Sequence, residues 1–222
     1  GEWTRGVCSG LANFTDDPVL AGQAARANEE SGVSIRERVV PNLAHTGLTA
    51  DEIVNNVRLC MSGGINEPRD GIALATWALL THPDALARCR ADEAMWRNAC
   101  EELFRWISPV ATSTRQTTVD VELAGTTIPR GALVAAVISS ANRDERRWDD
   151  PARFDLQRDA GRHLSFAHGP HYCPGAALGK RMGAIALEAV LSRMPNIARL
   201  DPHTEWLASL WVRGARTLPV RA

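Results

Sequence analysis

The sequence predicts a mainly α-helical protein with a small β component, and three features support this fold class. A long, largely apolar segment covers about residues 50–80, and it starts at a capping box in which Thr49 and Glu52 can satisfy each other's backbone N–H groups. A second helical stretch covers residues 91–107. Between this stretch and the later helices, residues 118–123 alternate apolar and polar side chains and then meet turn residues, which predicts a small hairpin.

Length and composition exclude several function classes. The chain has 222 residues, of which 45% are hydrophobic, so it can bury a substantial core, and its formal net charge of −1 gives no basic footprint for nucleic acid. Its five cysteines are odd in number and scattered, which favours a reducing compartment over a disulfide framework. The sequence shows neither a signal peptide nor a run of eighteen apolar residues. We therefore expect a cytoplasmic protein that binds neither nucleic acid nor membrane.

Cys173 has the most informative surroundings, because it lies between two glycines and leads directly into a predicted helix. The first turn of a helix leaves backbone N–H groups unpaired and has a partial positive charge, which favours a thiolate over a neutral thiol. Gly169 and Gly175 allow the backbone to approach a bound group closely. The segment therefore predicts a cysteine that acts as a ligand.

Two other interpretations of Cys173 stay open at this point. A lone cysteine is often a small buried hydrophobe. His163, His168 and His171 together with Cys173 could also form a zinc site, although no second cysteine lies nearby and the spacing follows no common zinc pattern.

Phe166, Gly169, Cys173 and Gly175 resemble the haem-ligand loop of the cytochrome P450 family, and we call residues 166–175 the Cys173 loop. The resemblance implies a cytochrome P450-like helical fold with haem b (iron protoporphyrin IX) as cofactor. It also implies that the sulfur of Cys173 is the axial ligand of the haem iron.

Further motifs of the family follow in its order. Glu102 and Arg105 lie three residues apart on one helical face, and the resemblance implies that Arg153 completes a buried ion-paired triad with them. These three residues would be structural and would retain the cofactor, and removal of one would leave the others unpaired at a cost of several kcal/mol. Residues 142–144 also fit the family's usual sequence after its next short helix.

Two cationic side chains correspond to haem contacts in the family. Arg115 precedes the predicted hairpin, and His171 lies two residues before Cys173. The resemblance implies that each binds a haem propionate.

The middle of the helix at about residues 50–80 contains an unusual segment. Gly63 and Gly64 are followed by Asn66, Glu67 and Pro68, and inside a helix each glycine costs about 1 kcal/mol and proline about 3 kcal/mol relative to alanine. Because Pro68 lacks an N–H, the carbonyl of Gly64 loses its usual partner, and we expect a kink.

This segment resembles the family's oxygen-binding groove, in which two small residues clear space and an acid–alcohol pair passes protons to dioxygen. Gly63 and Gly64 match the small pair, whereas Asn66 replaces the acid and Glu67 replaces the alcohol. Our hypothesis is that Glu67 delivers protons, with its pKa raised by apolar surroundings. The alternative is that the segment is only a structural kink.

The resemblance covers nearly the whole chain but only the carboxyl-terminal half of the family's usual length. The chain starts at Gly1 rather than at methionine, so we expect residues 1–222 to be a single incomplete domain whose amino-terminal half is absent. Apolar surface that this half would cover should then be exposed.

We expect a haem-thiolate monooxygenase that inserts one atom of dioxygen into a small organic substrate. Its electrons would come from ferredoxin and ferredoxin reductase, and Lys180 and Arg181 could belong to a basic face for an acidic donor of this kind. The alternative is a non-catalytic or partner-dependent fragment of such an enzyme. The sequence does not identify the substrate.

Overall fold

The computed structural model describes residues 18–221. The chain divides into two compact units, with the boundary between Arg69 and Asp70. Cys8 and the rest of residues 1–17 lie outside the described residues. Within residues 18–221, no helix combines the length and the apolar character that crossing a membrane requires.

The first unit is helical. It contains α1 (Pro18–Arg38), α2 (Val40–Leu43), a 3₁₀ turn at Ala44–Thr46 and the first part of α3 (Ala50–Thr81). Among its described residues, the buried apolar side chains are Ala27, Ile35, Ile53 and Val54. Arg58 on α3 donates from Nε to Oγ of the buried Ser31 on α1 at 3.1 Å, so a polar contact joins the two helices.

The capping box at the start of α3 is confirmed. The backbone N–H of Thr49 donates to Oε2 of Glu52 at 2.7 Å, and the N–H of Glu52 donates to Oγ1 of Thr49 at 3.3 Å. The hydrogen bond from the Thr49 backbone, together with that from its side chain, lowers the pKa of Glu52. The helix then continues through Pro68 to Thr81, so the proline lies inside the helix as predicted.

The second unit is also mainly helical. After α3 come α4 (Pro83–Ala91), α5 (Met95–Ile107), the short α6 (Ile138–Ala141) and α7 (Ala176–Arg193). The fully buried leucines of its core come from α3, α5 and α7: Leu74, Leu79, Leu103, Leu187 and Leu191. The element that follows the Cys173 loop therefore packs into the centre of this unit.

Helices α5 and α7 approach each other closely at a glycine. A Cβ atom at Gly183 would lie only 2.7 Å from Sγ of Cys100, a distance that real Cβ atoms do not adopt. The Cys100 thiol donates to the carbonyl of Lys180 at 3.4 Å, and its burial raises its pKa to about 12. Cys100 is therefore a packing residue without nucleophilic character at neutral pH.

Within residues 18–221, the β component consists of three antiparallel two-stranded sheets. In the first, β1 (Thr112–Gln116) pairs with β4 (Leu133–Val137), and in the second, β2 (Val121–Leu123) pairs with β3 (Thr126–Ile128). The second sheet is the predicted hairpin, with Ala124 and Gly125 at φ values of 49° and 78° in its turn. The third sheet joins β5 (Ala198–Arg199) to β6 (Val220–Arg221).

Helix α7 keeps a stripe of exposed apolar side chains. Leu178, Met182 and Ile185 are 64%, 40% and 54% exposed, and their spacing places them on one side of the helix. In the first unit, Leu59 and Ile65 of α3 are exposed as well.

A buried ion pair on α5 organises the loops around it. Arg105 and Glu102 are fully buried, and Arg105 donates to the two Glu102 carboxylate oxygens from Nε at 2.7 Å and from Nη2 at 2.8 Å. The remaining N–H groups of Arg105 bond the carbonyls of Asn142, Pro151 and Arg153 at 2.8, 3.0 and 3.2 Å. All five N–H donors of the guanidinium are therefore used.

The third member of this network is Arg158, not Arg153. Nε of Arg158 donates to Oε1 of Glu102 at 3.1 Å, whereas the side chain of Arg153 is exposed. The chain turns at Asp150, where φ is 43° and the carbonyl accepts from the N–H of Arg153. This turn presents the backbone carbonyl of Arg153 to Arg105, so the side chain points elsewhere.

We expect Glu102→Gln to lower the free energy of unfolding by about 3–5 kcal/mol, because it leaves the buried guanidinium of Arg105 without its counter-charge. Urea denaturation followed by circular dichroism measures this change. The control is Glu205→Gln, which breaks the exposed pair with Arg216 and should change stability by about 0.5 kcal/mol or less. Equal effects of the two changes would contradict the structural role of the buried pair.

Candidate functional site

The Cys173 loop is folded back on itself by backbone hydrogen bonds. Two 3₁₀ turns, Leu164–Phe166 and Gly169–His171, precede the cysteine. The N–H of Cys173 donates to the carbonyl of Phe166 at 2.9 Å, and the carbonyl of Cys173 accepts from the N–H of Ala176 at 3.2 Å. These bonds fix the cysteine backbone between the first turn and the start of α7.

The two glycines of the loop serve different needs. Gly169 has φ of 63°, a left-handed conformation that favours glycine, and no atom lies within 4 Å of the place where its Cβ would be. A Cβ at Gly175 would lie 3.8 Å from Sγ of Cys173, and Gly175 itself is the N-cap of α7. The loop is therefore open beside Gly169, whereas the backbone at Gly175 lies close to the sulfur of Cys173.

Cys173 is half-buried, and no other sulfur or imidazole in the described part of the chain forms a metal site with it. Among residues 18–221, no three His, Cys, Asp or Glu side chains lie close enough together to hold a metal ion. His163 is buried and engaged elsewhere, since its Nδ1 accepts from the N–H of Ser165 at 3.2 Å. The zinc interpretation therefore has no support in this structure.

An aromatic and charged cluster lies beside Phe166. The Phe166 ring lies 4.8 Å from the ring of Phe104, and Nζ of Lys180 lies 5.2 Å from the centre of the Phe166 ring. Oε2 of Glu101 lies 2.9 Å from Nζ of Lys180 and 3.4 Å from Nε2 of His163. Burial alone would raise the pKa of Glu101, but the contacts with His163 and Lys180 outweigh it and lower this pKa.

Arg115 and His171, the predicted propionate ligands, are both exposed. Arg115 lies on β1, where its Nη1 donates to Oγ of Ser113 and to the carbonyl of Thr114, both at 2.7 Å. His171 ends the second 3₁₀ turn of the Cys173 loop. Neither side chain is held in a buried hydrogen-bond network. That they bind the haem propionates stays a prediction.

The predicted oxygen groove belongs to the first unit. Gly63 and Gly64 are exposed, and no atom lies within 4 Å of a Cβ at either position. Asn66 is 9% exposed, and Glu67 is half-buried. An apolar hollow of about 460 Å³ lies beside this segment, and the residues around it are Leu43, Asn56, Val57, Cys60, Met61, Gly64 and Ile65.

Sequence reasoning missed a role for Asn142, which is buried behind the Cys173 loop. Its side chain contacts Leu164 and Ser165 at 2.7 and 2.9 Å, and its carbonyl accepts from Arg105. The match of residues 142–144 to a family segment was the one available signal, and it gave no function for the asparagine. Its partners are distant in the sequence, so only the fold identifies them.

Comparisons with known sequences identify the family that this chain resembles. Residues 36–195 match the sequence model of the family described as Cytochrome P450. The chain is 40% identical over 176 residues to 6-deoxyerythronolide B hydroxylase of Saccharopolyspora erythraea, an alignment that covers 78% of this chain and 44% of that protein. It is 38% identical to cytochrome P450 monooxygenase PikC of Streptomyces venezuelae, covering 94% of this chain and 54% of PikC.

Solved structures show the same fold. The ligand-free structure of cytochrome P450 TbtJ1 matches with a TM-score of 0.89 and 35% identity, and the match covers 99% of this chain and 62% of that one. The structure of the tirandamycin C-bound P450 monooxygenase TamI matches with a TM-score of 0.87 and 30% identity, covering 99% of this chain and 58% of that one. The chain spans about half the length of the curated relatives it matches.

We expect acid to weaken the contribution of Glu101 to stability. Its pKa is lowered by folding, so its stabilising effect is present above the ordinary pKa of 4.5 and is lost as the pH falls through the lower folded value. Glu101→Gln should therefore destabilise the protein at pH 7, and the difference from the unchanged protein should shrink at pH 4. Urea denaturation at the two pH values measures this, with the exposed Glu93→Gln as control. A difference independent of pH would contradict the prediction.

Proposed function

Because the chain belongs to the cytochrome P450 family, we propose that the protein it represents is a haem-thiolate monooxygenase. The reaction would insert one atom of dioxygen into a small organic substrate, with the other atom leaving as water. The observation that supports this most directly is the half-buried sulfur of Cys173 beside Gly175. The backbone N–H of Cys173 donates to the carbonyl of Phe166, which fixes the cysteine just before the start of α7.

Membership of this family implies a haem cofactor, and the residues of the Cys173 loop fit one. Cys173 is the only cysteine of this loop, no group of three metal-ligating side chains lies among residues 18–221, and the loop is open beside Gly169. The half-buried ring of Phe166 provides an apolar surface near the cysteine. When bound, haem b would supply the activation of dioxygen, and the Cys173 thiolate would hold its iron.

Arg115 and His171 are proposed to bind the two propionates of this cofactor. Both side chains are exposed, so they can meet carboxylates without first breaking a buried network. Arg115 would exchange its bonds to Ser113 and Thr114 for charge-assisted bonds, which are the stronger kind.

In residues 63–68, which match the predicted oxygen-binding groove, Gly63 and Gly64 would leave room for dioxygen and substrate, because neither residue has a side chain. We infer that Glu67 holds and delivers the protons that the reaction consumes. Asn66 cannot donate a proton as an acid does, but its amide can orient a water molecule. The carboxyl group of Glu67 is therefore the candidate proton source within the segment.

The reaction also requires electrons, for which we propose ferredoxin and ferredoxin reductase as partners. Lys180 and Arg181 lie near the start of α7, which directly follows the Cys173 loop. Their positive charge is complementary to an acidic electron donor and would speed its association more than it would raise its affinity.

We expect the reduced, haem-reconstituted protein to give a strongly red-shifted carbon monoxide difference band, because a thiolate ligand produces this signature. Cys173→Ser should abolish the band, since serine offers no thiolate. Cys60→Ser, which changes an exposed cysteine, is the control and should retain it. A red-shifted band that survives in Cys173→Ser, or no haem uptake by the unchanged protein, would contradict the proposal.

The role of Glu67 is tested by counting product formed per electron consumed with a ferredoxin system. Glu67→Gln keeps the shape of the side chain but removes its proton, so we expect this ratio to fall roughly tenfold or more, in line with general acid catalysis. Glu145→Gln changes an exposed carboxylate and should leave the ratio unchanged. Unchanged coupling in Glu67→Gln would show that another group supplies the protons.

A further inference from the structure

Asn142 is a polar residue that is almost completely buried, with 1% of its surface exposed. It follows α6, and every polar atom of it has a partner. Its side-chain Nδ2 donates to Oγ of Ser108 at 2.8 Å and to Oγ of Ser165 at 2.9 Å. Its Oδ1 accepts from the N–H of Leu164 at 2.7 Å. Such a fully satisfied buried amide specifies one arrangement of its neighbours.

The two serines fix the orientation of this amide. The hydroxyl of Ser165 donates to the carbonyl of Phe104 at 2.5 Å, and the hydroxyl of Ser108 donates to the carbonyl of Arg105 at 3.2 Å. Because each hydroxyl uses its single hydrogen in this way, only its lone pairs remain for Asn142. The N–H₂ group must therefore face the serines, and the side-chain oxygen must face Leu164.

Asn142 also connects the buried ion pair on α5 to the turn Leu164–Phe166, which leads into the Cys173 loop. On one side, its backbone carbonyl accepts from Nη1 of Arg105 at 2.8 Å, which joins it to the buried ion pair. On the other side, its side chain holds the 3₁₀ turn Leu164–Phe166. The carbonyl of Phe166, at the end of that turn, accepts from the N–H of Cys173 at 2.9 Å.

We propose that Asn142 is a positioning residue for Cys173. It holds the turn Leu164–Phe166 against the end of α5. The carbonyl of Phe166 then holds the backbone N–H of the cysteine. The effect on the iron ligand rests on the proposed function, whereas the effect on the loop backbone does not.

The chemistry of the site requires asparagine at this position. Alanine would remove all three side-chain bonds and leave the N–H of Leu164 without its partner. Aspartate would retain an acceptor for Leu164 but would bring oxygen against the two serine oxygens, which cannot donate without releasing the carbonyls of Phe104 and Arg105. We therefore expect the loop to be held most firmly with asparagine, less firmly with aspartate and least firmly with alanine.

The first test is hydrogen exchange of the haem-free chain, resolved to single amides by mass spectrometry with electron-transfer fragmentation. In Asn142→Ala we expect the amides of Leu164 and Cys173 to exchange about tenfold faster or more, since loss of buried hydrogen bonds lowers the cost of local opening by that order. Asn142→Asp should lie between Asn142→Ala and the unchanged protein.

Leu86→Ala is the matched control, because it destabilises the core from α4, whose residues lie far from the Cys173 loop in the sequence. It separates local opening of the loop from lowered global stability. Equal exchange of the Leu164 and Cys173 amides in Asn142→Ala and Leu86→Ala would overturn the proposal.

The second test is the carbon monoxide difference spectrum of the haem-reconstituted variants. Asn142→Ala should lose most of the red-shifted band and release haem about tenfold faster, whereas Leu86→Ala should retain the band below its unfolding temperature. Retention of the full band in Asn142→Ala would overturn the effect on the ligand. If the unchanged protein shows no such band, the proposed function fails, and the exchange experiment still decides whether Asn142 positions the loop.

Discussion

The buried ion pair between Glu102 and Arg105 is the interaction on which the second unit depends. Two opposite charges without any exposure are stable only when hydrogen bonds satisfy all of their remaining atoms. Arg105 meets this requirement by holding three backbone carbonyls, and Glu102 meets it by accepting from Arg158 and from the backbone N–H of Asp155. The pair therefore dictates the path of the chain segments that surround it.

This requirement explains how an irregular loop holds Cys173 in one position. Polar groups buried behind the Cys173 loop have no access to water, so each must be matched by another group of the protein. Ser108, at the end of α5, has φ of 54°, and this conformation directs its hydroxyl into the same network. The position of the cysteine thus follows from the satisfaction of buried polar atoms as well as from apolar packing.

Much of this architecture was predictable where the determinants are local in sequence. The capping box at Thr49 and Glu52, the hairpin after residue 118, and the pairing of Glu102 with Arg105 all depend on residues close together in the chain. The third arginine of the network was predicted wrongly, because its choice depends on a backbone turn that a motif does not encode. Asn142 was missed for a similar reason, since its partners lie more than twenty residues away on either side.

The close approach of α5 and α7 at Gly183 has a consequence for how the protein tolerates change. A single methyl group at this position would have to push apart two helices, because the sulfur of Cys100 already occupies that space. Helix α5 includes the ion pair, and α7 starts next to the cysteine loop. A larger side chain at the contact of these two helices would therefore shift the Cys173 loop relative to α5, so an alteration inside α7 would change the position of Cys173 itself.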